Sequence, residues 1–97
     1  MIHEDKRRIL EDWPEAKIIT AKTDCELGHH YHKIKTEKFI LTYGQAILNL
    51  AGQWFEMEIG EIYTVKPNQM HSFELAEGSI LVGLCSHTYD PTDDYRA

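Results

Sequence analysis

Residues 28–44 read Gly28-His29-His30-Tyr31-His32-Lys33-Ile34-Lys35-Thr36-Glu37-Lys38-Phe39-Ile40-Leu41-Thr42-Tyr43-Gly44. In a strand, residues i and i+2 point to the same face. His30 and His32 then present two imidazoles side by side, a spacing that suits two ligands on one metal ion. A turn over residues 34–36 would let Glu37 open the next strand beside them, where its carboxylate supplies a third ligand. Farther on, Pro67-Asn68 marks a turn, and His71 on the strand after it can close the set from across a barrel. Given this composition, His-x-His-x4-Glu has a chance of roughly 0.04 of arising at random, and requiring Gly44 as well lowers it to about 0.002.

The chain around this stretch reads as all-β. Short apolar or alternating runs cover 16–22, 29–34, 37–43, 45–50, 53–58, 62–65, 71–75 and 79–86. Turn residues separate them, among them Gly28, Gly44, Gly60, Pro67-Asn68 and Gly78. Ala51-Gly52 suits a two-residue hairpin. Eight short strands at this spacing predict a sandwich or barrel. Residues 4–12 are rich in helix formers and precede Pro14, which predicts a short N-terminal helix. The expected layout is one domain over 1–97: a helical segment at 1–14, a barrel at 16–88 and a polar surface tail at 89–97.

Composition narrows the function. At 97 residues the chain has room for one domain. Its 42% hydrophobic and 27% charged residues are those of a folded globular protein rather than a disordered one. A net charge of −6 disfavours a sequence-independent grip on nucleic acid. No apolar run approaches the roughly 18 residues of a membrane span. The charged N-terminus lacks the apolar core of a signal peptide, and Cys25 and Cys85 are too few for a disulfide scaffold, so a reducing cytoplasm is expected. A core this small gains from a bound metal or a dimer interface. Trp54, Phe55 and Met57 put apolar groups on both faces of one strand, and a homodimer is expected.

The two motifs resemble those of the cupin superfamily. Its first motif, G-x5-H-x-H-x3–4-E-x6-G, is matched by His30, His32, Glu37 and Gly44, with Asp24 in the leading glycine slot and Gly28 nearer the histidines. Its second, G-x5-P-x-G-x2-H-x3-N, is matched by Gly60 and His71. Lys66 fills the proline slot, Asn68 the glycine slot and Leu75 the final asparagine slot. Asparagine tolerates the left-handed conformation that a turn glycine adopts. The resemblance implies a double-stranded β-helix, or jelly-roll barrel. It also implies one divalent ion, Mn, Fe, Ni, Co, Cu or Zn, on His30, His32, Glu37 and His71.

Around those ligands, strand parity places Phe39, Leu41 and Tyr43 on the face of Glu37, and Phe73 on that of His71. Leu81, Gly83 and Cys85 can add to the same lining. Glu37 and Tyr43 are the candidate catalytic groups for proton transfer. Lys33 and Lys35 are placed at the mouth, Lys38 outside, and no basic residue is assigned inward. His29 points away by parity, His3 reads as surface, and His87 alternates with Cys85. Residues 28–39 also resemble type II mannose-6-phosphate isomerase cupins, and residues 89–96 the tail of nucleotide-sugar isomerase and epimerase cupins. Three readings follow. One is a metal-dependent isomerase-type or epimerase-type enzyme on a small polar, sugar-derived substrate. The second is an Fe(II)-dependent dioxygenase. The third is a small-ligand-binding module without turnover.

Overall fold

The structure is a computed structural model that describes residues 1–88 and 90–96; positions 89 and 97 of the tail lie outside the described residues. Strands β1 (Ile2–Glu4), β2 (Arg8–Trp13), β3 (Ala16–Ala21), β4 (Cys25–Tyr31), β5 (Glu37–Tyr43) and β6 (Ala46–Leu50) come first. They are followed by β7 (Gln53–Glu56), β8 (Ile62–Val65), β9 (His71–Leu75), β10 (Ile80–Cys85) and, after a 3₁₀ turn at Pro91–Asp93, β11 (Tyr95–Arg96). They form two antiparallel sheets of order β1-β2-β3-β10-β5-β8 and β11-β4-β9-β6-β7. Among the described residues no helix is long and apolar enough to cross a membrane.

The expected N-terminal helix is replaced by a β-hairpin. Asp5 Oδ1 accepts the backbone N–H groups of Arg7 (2.7 Å) and Arg8 (2.9 Å), which fixes a turn after β1. Arg8, Leu10 and Asp12 then line the inner side of β2, a period of two rather than 3.6. The exposed edge of β3 offers a full ladder, from Arg8↔Ala21 to Trp13↔Ala16. Sheet pairing outweighs a helix propensity worth a few tenths of a kcal/mol per residue.

The core lies between the sheets. Phe39, Leu41, Leu48 and Leu81 are its most deeply buried large apolar residues. Ala51 (φ 50°) and Gly52 (φ 84°) join β6 to β7 with both central residues left-handed, as a two-residue hairpin requires. Asn68 is left-handed too (φ 68°), and its N–H donates to the His32 carbonyl at 2.5 Å. The turn before His71 is thereby pinned to the segment that carries His32. Gly44 has φ +91°, and a Cβ there would lie 2.3 Å from Ser79 Oγ. That hydroxyl accepts from Gln45 N and donates to Gln45 O, both at 2.9 Å, so the β5–β6 corner closes only around a glycine.

Candidate metal centre

His30 reaches the site through an irregularity in β4. Gly28 (φ 104°) and His29 (φ 65°) are both left-handed, and the β4–β9 register steps from Gly28↔Ser72 to His30↔His71. The extra residue, His29, turns outward against Glu26, while His30 turns inward opposite His71. A Cβ on Gly28 would lie 2.9 Å from the His71 carbonyl oxygen, so glycine is required where the strand bends. His32 follows just past the end of β4, and Glu37 is the first residue of β5. One ligand-type atom from each of His30, His32, Glu37 and His71 lies within 4.8 Å of the others. Glu37 Oε1 is 3.1 Å from His32 Nε2 and 3.4 Å from His71 Nε2.

The far side of two of the imidazoles is held as well. His32 Nδ1 donates to the Asp93 carbonyl (2.5 Å) and His71 Nδ1 to the Gln69 carbonyl (3.2 Å). A carbonyl oxygen only accepts, so both protons sit on Nδ1 and both Nε2 lone pairs face Glu37. His30 Nδ1 lies 3.4 Å from Asp94 Oδ1, and among the described residues neither atom has a hydrogen-bond partner. His32 Nε2 and Glu37 Oε1 are buried with no hydrogen-bond partner. A lone pair facing a carboxylate in a dry interior needs a cation or a proton between them. Three imidazoles, two of them braced from behind, and one carboxylate are a donor set that could hold a divalent transition metal.

The other Glu37 oxygen faces positive charge. Oε2 is 3.1 Å from Lys17 Nζ, 3.8 Å from Lys35 Nζ and 3.6 Å from Cys85 Sγ. Burial alone would raise the Glu37 pKa. In the metal-free protein a proton on Nε2 of His32 or His71, donated to Oε1, and the charges of Lys17 and Lys35 outweigh it and hold the carboxyl below the usual carboxylate range. Burial raises the Cys85 thiol, so it stays protonated as a weak donor to Oε2. For His30, burial and then the neighbouring charge of His71 lower the pKa to about 4.

These shifts set a pH dependence for the metal-free protein. The unfolded chain binds a proton on histidine near 6.5, while folded His30 refuses it until about 4. Stability from His30 is complete above 6.5 and falls as the pH drops through that window. Stability from Glu37 is present above its ordinary value of 4.5 and is lost at still lower pH. Urea midpoints of metal-free protein are expected to decline from pH 7 to pH 4; a flat profile would contradict the environment of His30.

The sequence reading missed Lys17. Its signal was available, because Lys17 shares the parity of the buried residues Ile19 and Ala21 on β3. Lys35, expected at the mouth, is buried against Glu37. Tyr43, expected in the pocket, is not brought to the cluster and is 57% exposed. The cause is a bulge: Leu81 pairs with Leu41 but the next residue, Ile80, pairs with Tyr43, so Thr42 is extra and the alternation breaks. His87 is exposed. The tail does more than lie on the surface. The Asp93 carboxylate accepts N–H groups from Lys33, Ile34 and Lys35, and Tyr95 stacks on Tyr31.

A cavity of about 260 Å³ opens beside the cluster, lined in part by Arg8, Lys17, His30, Lys35, Cys85 and Asp94. A larger groove, about 680 Å³, contains none of the cluster residues. No family model and no curated protein sequence matches the chain. Solved structures do match in fold. The capsular polysaccharide assembling protein CapF from Staphylococcus aureus aligns over 99% of this chain and 31% of its own, with 18% identity and a TM-score of 0.83. KdgF from Halomonas sp. aligns over 95% and 90%, with 15% identity and a TM-score of 0.80. Oxalate decarboxylase from B. subtilis aligns over 100% and 30%, with 16% identity and a TM-score of 0.81. The chain thus spans about a third of CapF and of oxalate decarboxylase, but most of KdgF. All three are cupin-fold proteins, and this chain shares that fold.

Proposed function

We propose that the protein is a metal-binding cupin that acts on a small polar substrate, with His30, His32, Glu37 and His71 as ligands to one divalent ion. The observation that carries this reading is the convergence of buried, unpartnered His32 Nε2 and Glu37 Oε1 beside His30 and His71. The three histidines fix donor direction, and Glu37 supplies the negative charge. A divalent ion bound there would polarise a substrate oxygen as a Lewis acid. Around it, buried Glu37 Oε2 and the ammonium of Lys17, which lines the cavity, form a proton-holding pair 3.1 Å apart. Tyr43 has no part in this scheme.

Metal analysis of native protein tests the reading. One equivalent is expected in wild type and far less in His71→Ala and His30→Ala. Wild-type protein that retains no metal after exposure to Mn, Fe, Ni, Co, Cu or Zn would sink it.

We also propose a homodimer. Ile18, Val82, Ile40 and Ile62 stand in one cross-strand row on the outer face of the six-stranded sheet, and Ile62 is 61% exposed. A contiguous apolar face of this kind favours a partner. Cys25 and Cys85 are both free thiols, which supports a reducing compartment such as the cytoplasm.

A further inference from the structure

We propose that Asp94 is a positioning residue for His30: its carboxylate holds the ring proton on Nδ1 and leaves Nε2 as the lone pair offered to an ion. The assignment rests on the metal-binding reading and adds a residue to that site.

Two buried atoms carry the argument. His30 Nδ1 and Asp94 Oδ1 stand 3.4 Å apart, both buried, and among the described residues neither has a hydrogen-bond partner. That separation is just beyond the usual range of about 2.7–3.2 Å for an N–H···O bond. Leaving two such atoms unpaired away from water is costly, so the pair gains by closing. Glu37 stands against His32 and His71. Among the described residues, Asp94 is the one carboxylate in ion-pair range of the His30 ring. A carboxylate only accepts, so it draws the imidazole proton to the nitrogen that faces it. The other nitrogen of a neutral ring is then bare.

The fold delivers Asp94 to this place. Asp90 Oδ1 accepts the Thr92 N–H (2.9 Å) and hydroxyl (2.7 Å), which fixes the 3₁₀ turn at Pro91–Asp93. Asp94 leaves that turn with extended backbone (φ −118°, ψ 109°). β11 then pairs with β4 as Tyr95↔Tyr31 and Arg96↔His30. Tyr95 stacks on Tyr31, and residues two apart share a face, so Asp94 is a diagonal neighbour of His30. Arg96 holds the other carboxylate oxygen: its Nη2 is 3.7 Å from Asp94 Oδ2, and its Nη1 donates to the Gly28 carbonyl at 3.4 Å. Oδ1 is left for His30. His32 and His71 lean on backbone carbonyls, whereas His30 faces a charge. A carboxylate behind a ligating imidazole fixes its direction and raises its basicity.

Ring-nitrogen NMR shifts of the metal-free protein test this, with His30 identified by the signals lost in His30→Gln. The Nδ1–H tautomer is expected in wild type. Asp94→Asn keeps the side-chain shape but can also donate, so the Nδ1–H fraction should fall and Nε2–H should appear. Zinc affinity, measured by competition against a chelator, should fall about 10–100-fold in the same variant. A residue that merely anchored the tail would leave the tautomer unmoved. An Nε2–H tautomer in wild type overturns the assignment without any variant. So does folded Asp94→Asn protein in which either the tautomer ratio or the zinc affinity stays within about twofold of wild type. Wild type that takes up no zinc overturns the metal reading separately; the tautomers still decide whether Asp94 sets the His30 ring.

Discussion

Glu37→Ala is expected to destabilise the fold by about 3–5 kcal/mol, the usual cost of removing one partner from a buried charge cluster. The carboxylate is fully buried between two imidazoles on one side and Lys17 and Lys35 on the other. Its removal takes a buried negative charge away from Lys17 and Lys35 and takes away the only acid among the four clustered donors. Metal retention should fall with stability, because both depend on the same group. Glu37→Gln separates the two effects. It keeps the side-chain volume and should cost less stability, but it still removes the charge that a divalent ion needs. Urea unfolding and metal analysis on the same samples check both parts. A loss below about 1 kcal/mol for the alanine variant would show that Glu37 does not hold the cluster together.

The second large effect is expected at Asp93, far from Glu37 in sequence. Its carboxylate gathers the N–H groups of Lys33, Ile34 and Lys35, and its carbonyl takes the His32 Nδ1 proton. Asp93→Ala keeps the carbonyl but frees the segment that aims it. Metal affinity should fall by about 10–100-fold, the range seen when a ligand's supporting hydrogen bonds are lost. Competition against a chromophoric chelator measures this. Amide exchange at residues 33–35 should rise in the same variant, and Asp93→Asn, which keeps an acceptor oxygen, should recover part of both. Unchanged affinity alongside faster exchange would show that His32 holds its direction without the tail.

The parts of the molecule that were legible in sequence follow one rule. Period-two alternation and turn chemistry act locally, so 37–43, 62–65 and 71–75 were placed with their observed bounds, and Ala51-Gly52 and Asn68 took the left-handed conformations expected of them. The four clustered donors were legible because their spacing is tied to those same strands. What was missed depends on pairing across the sheet. Residues 8–13 form a strand because β3 offers an edge, and Tyr43 leaves the pocket because β10 forces a bulge. Lys17 and Asp93 meet the site only through contacts 20 and 60 residues away, which no local pattern announces.

The bond from His32 to Asp93 spans 61 positions, and this has a kinetic consequence. Closing so long a loop costs entropy early, and the reward arrives only when both sheets are in place. A site assembled this late stands outside the folding nucleus. An ion gripped there would slow unfolding far more than it speeds folding. In this barrel the metal would act as a lock on the finished structure rather than as a seed for it.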